Sequence, residues 1–188
     1  MWKGLIVGVV GTLVVLALAG FIVVKFGLVP VNADGPPFPV ERWAAKTALN
    51  ATLAREGANL QDPLQADDAT ILAGIKLYGE NCSVCHGASQ GRPTYVGFGL
   101  YQHAPTFGRH GVVDDPVGET YWQATHGIRL TGMPSFGKTL TDRERWQIAT
   151  FLKNQNQLSP KADAAWKKLT EREVPASLLP LRRPGARM

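Results

Sequence analysis

The apolar positions divide the chain into one continuous apolar run followed by shorter segments with helical spacing. From Gly4 to Val24, 21 consecutive residues carry no charge and are nearly all Leu, Val, Ile, Ala or Gly. A helix of that length, at roughly 1.5 Å per residue, covers the roughly 30 Å hydrocarbon core of a bilayer. Lys3 and Lys25 flank the run, at the positions where snorkelling cations are tolerated. The pattern predicts a single transmembrane anchor over residues 1–29.

A cleaved signal peptide is the alternative interpretation of the same segment. Val31, Asn32 and Ala33 provide small residues in a cleavage-like pattern. The apolar core of a signal peptide usually runs to roughly 7–15 residues, which is shorter than this stretch, and an uncleaved anchor is therefore favoured. One lysine on each flank does not choose an orientation by the positive-inside rule.

Residues 30–64 are expected to form a proline-rich linker and an additional helix. The prolines in residues 30–40 disfavour a helix and favour an extended, semi-rigid strut. Residues 41–57 are rich in alanine and lack Gly and Pro until their end. They are predicted to form a helix that packs Trp43, Leu49 and Leu53 onto a neighbour.

Residues 65–158 contain two strong helix predictions. The first helix begins near Asp67 and Asp68, whose charges suit a helix N-terminus, and runs to about Tyr78 with Ile71 and Ile75 on the same face. The second begins at a capping box that Thr141 and Glu144 form, and it continues through Trp146, Ile148, Phe151 and Leu152. In residues 159–188, Ser159 and Pro160 predict a further helix to about Val174, stopped by Pro175 and followed by an exposed basic tail.

Residues 81–140 contain little predicted regular structure. They are dense in Gly, Pro, Thr and aromatic residues, with one short helical candidate at 119–127. A stretch of this length with so little secondary structure is uncommon in a compact domain. It therefore predicts an internal cofactor on which the chain packs.

Composition and charge narrow the class of protein. The 188 residues suffice for one ordinary domain with attachments, and 45% hydrophobic content excludes wholesale disorder. The net charge of +5 is concentrated at the two ends, because residues 34–160 carry eleven Lys or Arg against twelve Asp or Glu. The tail excess includes Arg182, Arg183 and Arg187. A balanced central region argues against nucleic acid as a partner.

The two cysteines of the chain lie in the sequence Cys82-Ser83-Val84-Cys85-His86. A C-x-x-C-H motif suits the attachment of one haem c, with both thiols bonded to the haem and the adjacent imidazole on the iron. A thioredoxin-like redox pair would require a βαβ context, and a structural zinc site would require further Cys or His ligands. One covalent haem is therefore predicted. Because haem c is attached on the outer side of the bacterial inner membrane, the N-terminus is placed in the cytoplasm and the haem domain in the periplasm.

The sixth iron ligand has several candidates downstream of the motif. They are Met133, His103, His110, His126 and Met188. Met133 lies between Gly132 and Pro134, in a loop suited to project a thioether, and it is preferred. His126 is the second choice, with a hydrogen bond near the haem edge as its expected role.

The run from about Asp67 to Leu158 resembles the class I cytochrome c family, specifically its membrane-anchored bacterial monohaem members. The resemblance rests on residues in four groups: Gly74 and Tyr78; Cys82 to Gly87; His126 to Ile128 with Thr131 to Pro134; and Glu144 to Trp146 with Phe151 and Leu152. It implies an all-α fold around one covalent haem, with His86 as proximal and Met133 as distal ligand. It also implies that Gly74 lets the first and last helices of the domain cross closely near Phe151. The carbonyl that accepts from the His86 ring is left open between Pro93 and Pro105.

The expected function is single-electron transfer. Axial ligation by His and Met leaves no position for a substrate, and the thioether raises the reduction potential. The expected partners are the membrane, a quinol-oxidising complex or dehydrogenase as donor and a higher-potential acceptor, in a respiratory or photosynthetic complex. Arg129 is a candidate partner of a haem propionate. Gly4, Gly8, the helix predicted at 41–57 and the extension after Ser159 are candidate contacts to other subunits. The alternatives are a peroxidase-like haem enzyme and a redox or gas sensor.

Overall fold

The computed structural model describes residues 2–108, 111–171 and 174. These residues form helices and connecting loops without a β-strand, as the sequence predicted. They divide into two compact units, residues 1–33 and 34–188. The mostly helical fold is confirmed for the described part of the chain.

The first unit contains helix α1, Trp2–Lys25. This helix is long and apolar enough to cross a membrane, and it begins two residues before the apolar run at Gly4. Its large apolar side chains are exposed. The Thr12 hydroxyl donates a hydrogen bond to the Gly8 carbonyl within the helix at 2.9 Å.

The first helix of the second unit was predicted only in part from the sequence. Helix α2 spans Pro39–Thr52 and continues as a π-helical turn, Leu53–Gly57. Pro39 opens α2 instead of interrupting it, because a proline in the first turn has no intrahelical partner to lose. Leu53 is buried and Leu49 half-buried as predicted, whereas the prediction that Trp43 packs onto a neighbour is wrong: it is 68% exposed.

Two crossing helices form the core of the second unit. Helix α3, Asp68–Asn81, is capped by the Asp67 carboxylate, and helix α7, Asp142–Lys153, begins at the predicted capping box. A β-carbon on Gly74 would lie 2.2 Å from the Gln147 carbonyl oxygen and 2.7 Å from the Phe151 β-carbon, so only glycine permits this crossing. The core around it contains Ile71, Ile75, Tyr78, Ile148, Phe151, Leu152, Ala162 and Trp166.

Three shorter helices lie between α3 and α7. They are α4, Ser83–His86, α5, Tyr95–Gly99, and α6, Val117–His126. The predicted candidate at 119–127 corresponds to α6, whereas the one-turn helices α4 and α5 have no periodic pattern that would predict them. The remaining described residues of this region are loops, in agreement with the sequence.

After α7 and a 3-10 turn, helix α8 covers Pro160–Lys168 and is capped by Ser159. The prediction that this helix reaches Val174 is wrong, because residues 169–171 leave the helical path and pack along the domain. A β-carbon on Gly79 would lie 2.9 Å from the Leu169 side chain. The Val174 amide donates a hydrogen bond to the Pro93 carbonyl at 2.8 Å. The basic tail at 175–188 lies outside the described residues.

Candidate haem-binding site

The C-x-x-C-H sequence forms a single helical turn directly after α3. Cys82 ends α3, and its carbonyl accepts hydrogen bonds from the Cys85 amide at 3.1 Å and the His86 amide at 2.9 Å. The turn closes at Gly87, whose φ of +76° suits glycine. Because residues three apart share a helix face, Cys82 and Cys85 lie on the same side of this turn.

Both cysteines are free thiols in the structure. Burial, with a smaller contribution from Cys85, raises the pKa of Cys82 to about 12, and burial also raises the pKa of Cys85. A redox-active dithiol requires the opposite shift, since the thiolate is its nucleophile. Among the described residues no group of three or more His, Cys, Asp and Glu side chains could hold a metal ion. In the described part of the chain, Cys82 and Cys85 thus have neither a lowered thiol pKa nor a cluster of further metal ligands.

The His86 ring is held by a backbone carbonyl and an aromatic ring. Its Nδ1 lies 2.8 Å from the Pro105 oxygen, which decides the choice between Pro93 and Pro105. Since a carbonyl only accepts, Nδ1 carries the proton and Nε2 keeps its lone pair for a metal. Phe107 stacks on the imidazole with 4.5 Å between ring centroids. Burial lowers the pKa of His86, and the Pro105 hydrogen bond opposes part of this shift.

Residues of α5, its N-cap and α3 contact the backbone of the cysteine motif. The Thr94 hydroxyl donates to the Val84 carbonyl at 2.6 Å, and a β-carbon on Gly97 would lie 2.1 Å from the Cys85 oxygen. The buried Tyr78 hydroxyl donates to the Gly87 carbonyl at 2.7 Å. These contacts hold the backbone of the motif between α3 and α5.

Met133 lies in a compact loop that follows α6. Its carbonyl accepts from the Ile128 amide at 3.2 Å, and its amide donates to the Thr131 hydroxyl at 3.1 Å. Gly127 has a φ of +67°, and a β-carbon there would lie 2.7 Å from the Met133 oxygen. The loop thus has a defined backbone, with Met133 half-buried.

The Met133 loop is connected to the cysteine motif through α5. A β-carbon on Gly132 would lie 2.6 Å from the Leu100 side chain, and Leu100 directly follows α5. Since α5 packs on Cys85, the structure gathers the motif, α5 and the Met133 loop into one region.

The other candidate residues lie at more exposed positions. His126 ends α6, is exposed and lies 4.7 Å from the Trp122 ring between centroids, and Arg129 is exposed in the Met133 loop. His103 stacks on Phe98 at 4.9 Å and hydrogen-bonds the Leu100 carbonyl through Nδ1 at 2.9 Å. His110 and Met188 lie outside the described residues.

Sequence reasoning missed two contributors to the site, Phe107 and Thr94. Phe107 is one aromatic residue among several in an irregular segment, and nothing local indicates that it stacks on His86. Thr94 precedes Tyr95 as an N-cap, accepting from the Gly97 amide at 2.9 Å. Its cap could have been recognised from sequence only after α5 itself had been predicted.

The residues present fit a covalently attached haem c. Two thiols on one helical turn and an imidazole whose Nε2 makes no hydrogen bond to Pro105 are the donor set that attachment and axial ligation require. A methionine in an ordered loop of the same region is available as a second sulfur donor. The His86 tautomer and the hydrogen-bonded Met133 loop are observations that the motif alone does not give.

Comparison with known proteins gives the family of this region. A family model described as "Cytochrome C oxidase, cbb3-type, subunit III" matches residues 69–152. A solved structure, the reducing HAO-like protein complex of Kuenenia stuttgartiensis, is 28% identical over 50% of this chain, with a TM-score of 0.35. The match covers 46% of that neighbour's chain. No curated protein matches the sequence. With the motif geometry, the family match identifies this region as a class I-like monohaem c-type cytochrome domain with covalently bound haem c.

Proposed function

We propose that the protein is a membrane-anchored cytochrome that carries single electrons on the periplasmic side of a bacterial inner membrane. Its donor would be a quinol-oxidising complex or a dehydrogenase, and its acceptor a centre of higher potential. The observation that carries the proposal is the His86 ring, whose Nδ1 proton is engaged by Pro105 and whose Nε2 is left for the iron. A c-type cytochrome domain indicates electron transfer in general, and the direction and partners are the proposed part.

In this proposal Met133 supplies the second axial ligand. When bound, the haem supplies a one-electron iron couple, and a thioether ligand raises its potential. The hydrogen bonds of Met133 to Ile128 and Thr131 support this role because they restrict the loop that presents the sulfur. With both axial positions filled, a small molecule would have to displace Met133 before reaching the metal.

Two exposed residues are assigned to the edge of the same site. Arg129, four residues before Met133, is proposed to pair with a haem propionate. His126, at the end of α6, is proposed to donate or accept a hydrogen bond near the haem edge. Their exposure supports the assignment, because propionates and partner proteins are both reached from solvent.

The membrane location rests on α1. Its length and apolarity suit one crossing of the bilayer, and covalent haem attachment favours the periplasm for the second unit and the cytoplasm for the N-terminus. The face that carries Gly4 and Gly8 is open, since nothing lies within 4 Å of a β-carbon built at either position. Such a small-residue face allows another helix to approach closely, as a fixed subunit of a respiratory or photosynthetic complex would require.

Carbon monoxide binding separates the proposal from its alternatives. The reduced holoprotein is mixed with carbon monoxide and its visible spectrum is followed, and the oxidised protein is treated in parallel with peroxide. A protein with both axial positions filled will show no fast change with either reagent. Rapid carbon monoxide binding would overturn the carrier assignment and favour a sensor, and peroxide turnover would favour a peroxidase-like enzyme.

A further inference from the structure

Helix α2 is an exposed helix that its own domain hardly covers. None of its residues is buried, and only Leu49 and Thr52, near its end, are half-buried. Three large apolar side chains at its start are mostly exposed: Phe38 at 58%, Val40 at 69% and Trp43 at 68%. A helix of 14 residues is marginal alone in water, because most helical stability in proteins comes from packing of an apolar face. The exposed apolar side chains at the start of α2 therefore form a candidate binding surface.

An open groove lies along this part of α2. Its volume is about 620 Å³, and it is lined by Pro36, Pro37, Pro39, Arg42, Trp43, Lys46, Thr47 and Asn50. The prolines restrict the backbone of one wall, and the Trp43 ring provides an apolar surface. The groove thus combines a pre-formed shape with one aromatic side chain and two cations.

The charged residues that line the groove are both positive. Arg42 and Lys46 line it, and no carboxylate does. Among the described residues neither cation has an ion-pair partner. Glu41, the acidic residue of α2, instead accepts a hydrogen bond from the Tyr101 hydroxyl at 2.8 Å. The groove therefore suits an anionic group next to an apolar one.

The chain itself limits how far this groove can lie from a bilayer. Residues 26–38 are all that separates the end of α1 from the start of α2. Thirteen residues span at most about 45 Å when fully extended. This limit rests on the proposed membrane anchor, because it requires that α1 crosses the bilayer.

We propose that this groove binds the headgroups of anionic phospholipids, with the start of α2 lying in the membrane interface. Arg42 and Lys46 contact lipid phosphates, and Trp43, Val40 and Phe38 enter the boundary between headgroups and acyl chains. A tryptophan ring flanked by cations is typical of helices that lie at this depth. Basic residues near an anionic leaflet each contribute enough that two of them raise occupancy by about tenfold or more.

Hydrogen exchange of the full-length holoprotein in lipid nanodiscs tests this inference. Amides of residues 39–52 are followed in discs of phosphatidylcholine alone and in discs that contain phosphatidylglycerol. We expect exchange to be about tenfold slower in the anionic discs, and added salt at roughly half-molar concentration to remove most of the difference. The double variant R42Q/K46Q should exchange equally in both lipids. Equal exchange of the unchanged protein in the two lipids would overturn the inference.

Two controls separate lipid binding at the groove from a net-charge effect and from binding of a free anion. The variant K138Q/K161Q removes two exposed charges outside the groove and should keep the lipid dependence of exchange. Loss of the lipid dependence in this variant would mean that net charge alone causes the effect, and would overturn the proposed site. Inorganic phosphate added to phosphatidylcholine discs should leave residues 39–52 unprotected, and protection would reassign the groove to a free anion. Protection of α7 and the haem spectrum report whether each variant has folded.

Failure of the anchor is distinguishable from failure of the groove. Co-migration of the protein with phosphatidylcholine discs reports insertion of α1 without reference to α2. A protein that inserts but shows no lipid-dependent exchange at α2 overturns the groove alone. A protein that does not co-migrate with neutral discs overturns the anchor.

Discussion

At the scale of single residues, the proposed iron site depends on the His86 ring and the Met133 sulfur. The Pro105 carbonyl fixes the His86 tautomer, and the stacked Phe107 ring fixes its plane. Such outer contacts orient a metal ligand and raise its basicity. The position of Met133 depends instead on the hydrogen bonds that its backbone makes within its loop.

Replacing Met133 tests whether its sulfur reaches the iron. In Met133→Ala we expect an altered oxidised spectrum, a lower reduction potential and carbon monoxide binding by the reduced protein, because the thioether would be lost. Met188→Ala is the matched control and should leave all three properties unchanged. An unaltered spectrum in Met133→Ala would instead direct attention to His126, which can be replaced by alanine in the same way.

The sequence alone suggests the ligand residues but not their surroundings. The spacing of Cys82, Cys85 and His86 is local chemistry and can be recognised without a structure. The partner of His86 could not be chosen between Pro93 and Pro105, because the contact joins residues 19 positions apart through an irregular segment. Phe107 escaped notice for the same reason, since no periodic pattern places its ring against the imidazole.

At the scale of elements, the crossing of α3 and α7 depends on glycine at position 74, which has no side chain. In Gly74→Ala, the added methyl would lie 2.2 Å from the Gln147 oxygen, and the helices would have to separate. We expect the free energy of unfolding to fall by about 2–3 kcal/mol in guanidinium unfolding. Gly99→Ala is the control, since a β-carbon there meets nothing within 4 Å, and its effect should stay within about 0.5 kcal/mol. Equal effects of the two substitutions would contradict the close crossing.

The capping box of α7 gives the fold a defined pH dependence. Hydrogen bonds from the Thr141 side chain and backbone hold the pKa of Glu144 below its ordinary value of 4.5. The folded carboxylate therefore binds protons less readily than the unfolded one. Its contribution is complete above pH 4.5 and is lost as pH falls further, through the lowered pKa.

Thr141→Ala tests this box through its pH profile. We expect stability near neutral pH to drop by about 1 kcal/mol, as for other N-cap losses. The decline of stability in acid should also become shallower, because the pKa of Glu144 returns toward its ordinary value. Guanidinium unfolding at a series of pH values measures both effects. Thr139→Ala removes a nearby exposed threonine and should retain the wild-type slope; a parallel change in slope there would argue against the box.

Helices with repeated apolar spacing or a clear cap were predictable from sequence. This holds for α3 and α7, where spacing and caps agree over 12 residues or more, while α1 was predictable from the length of its apolar run. It fails for α4 and α5, which have four and five residues and owe their shape to tertiary contacts such as Thr94 with Val84. The start of α2 was not predicted, because proline disfavours the interior of a helix whereas Pro39 lies in the first turn, where proline is tolerated.

At the scale of the whole molecule, the C-terminal segment closes over the cysteine motif. Leu169 packs at Gly79, Glu171 lies 2.5 Å from the Ser83 hydroxyl, and Val174 is buried. These residues follow α8 and reach back to the end of α3, α4 and Pro93. Part of the extension expected to contact other subunits therefore packs on its own domain.

Two truncations measure what this closure contributes. Removing everything after Lys168 should lower the free energy of unfolding by about 3 kcal/mol, because the apolar contacts of Leu169 and Val174 are lost together. Removing only the residues after Val174 is the control and should have little effect, although it also deletes the basic tail. Guanidinium unfolding of the two holoproteins compares them directly. Similar midpoints would mean that residues 169–174 are dispensable for stability.

The hydrogen bond between Tyr101 and Glu41 has a consequence for how the second unit responds to its surroundings. Tyr101 is only four residues before Pro105, whose oxygen holds the His86 ring. The hydrogen bond therefore joins α2 to the short segment that carries the Pro105 carbonyl. We expect Tyr101→Phe, which removes this hydrogen bond, to uncouple α2 from the segment that contacts the His86 ring.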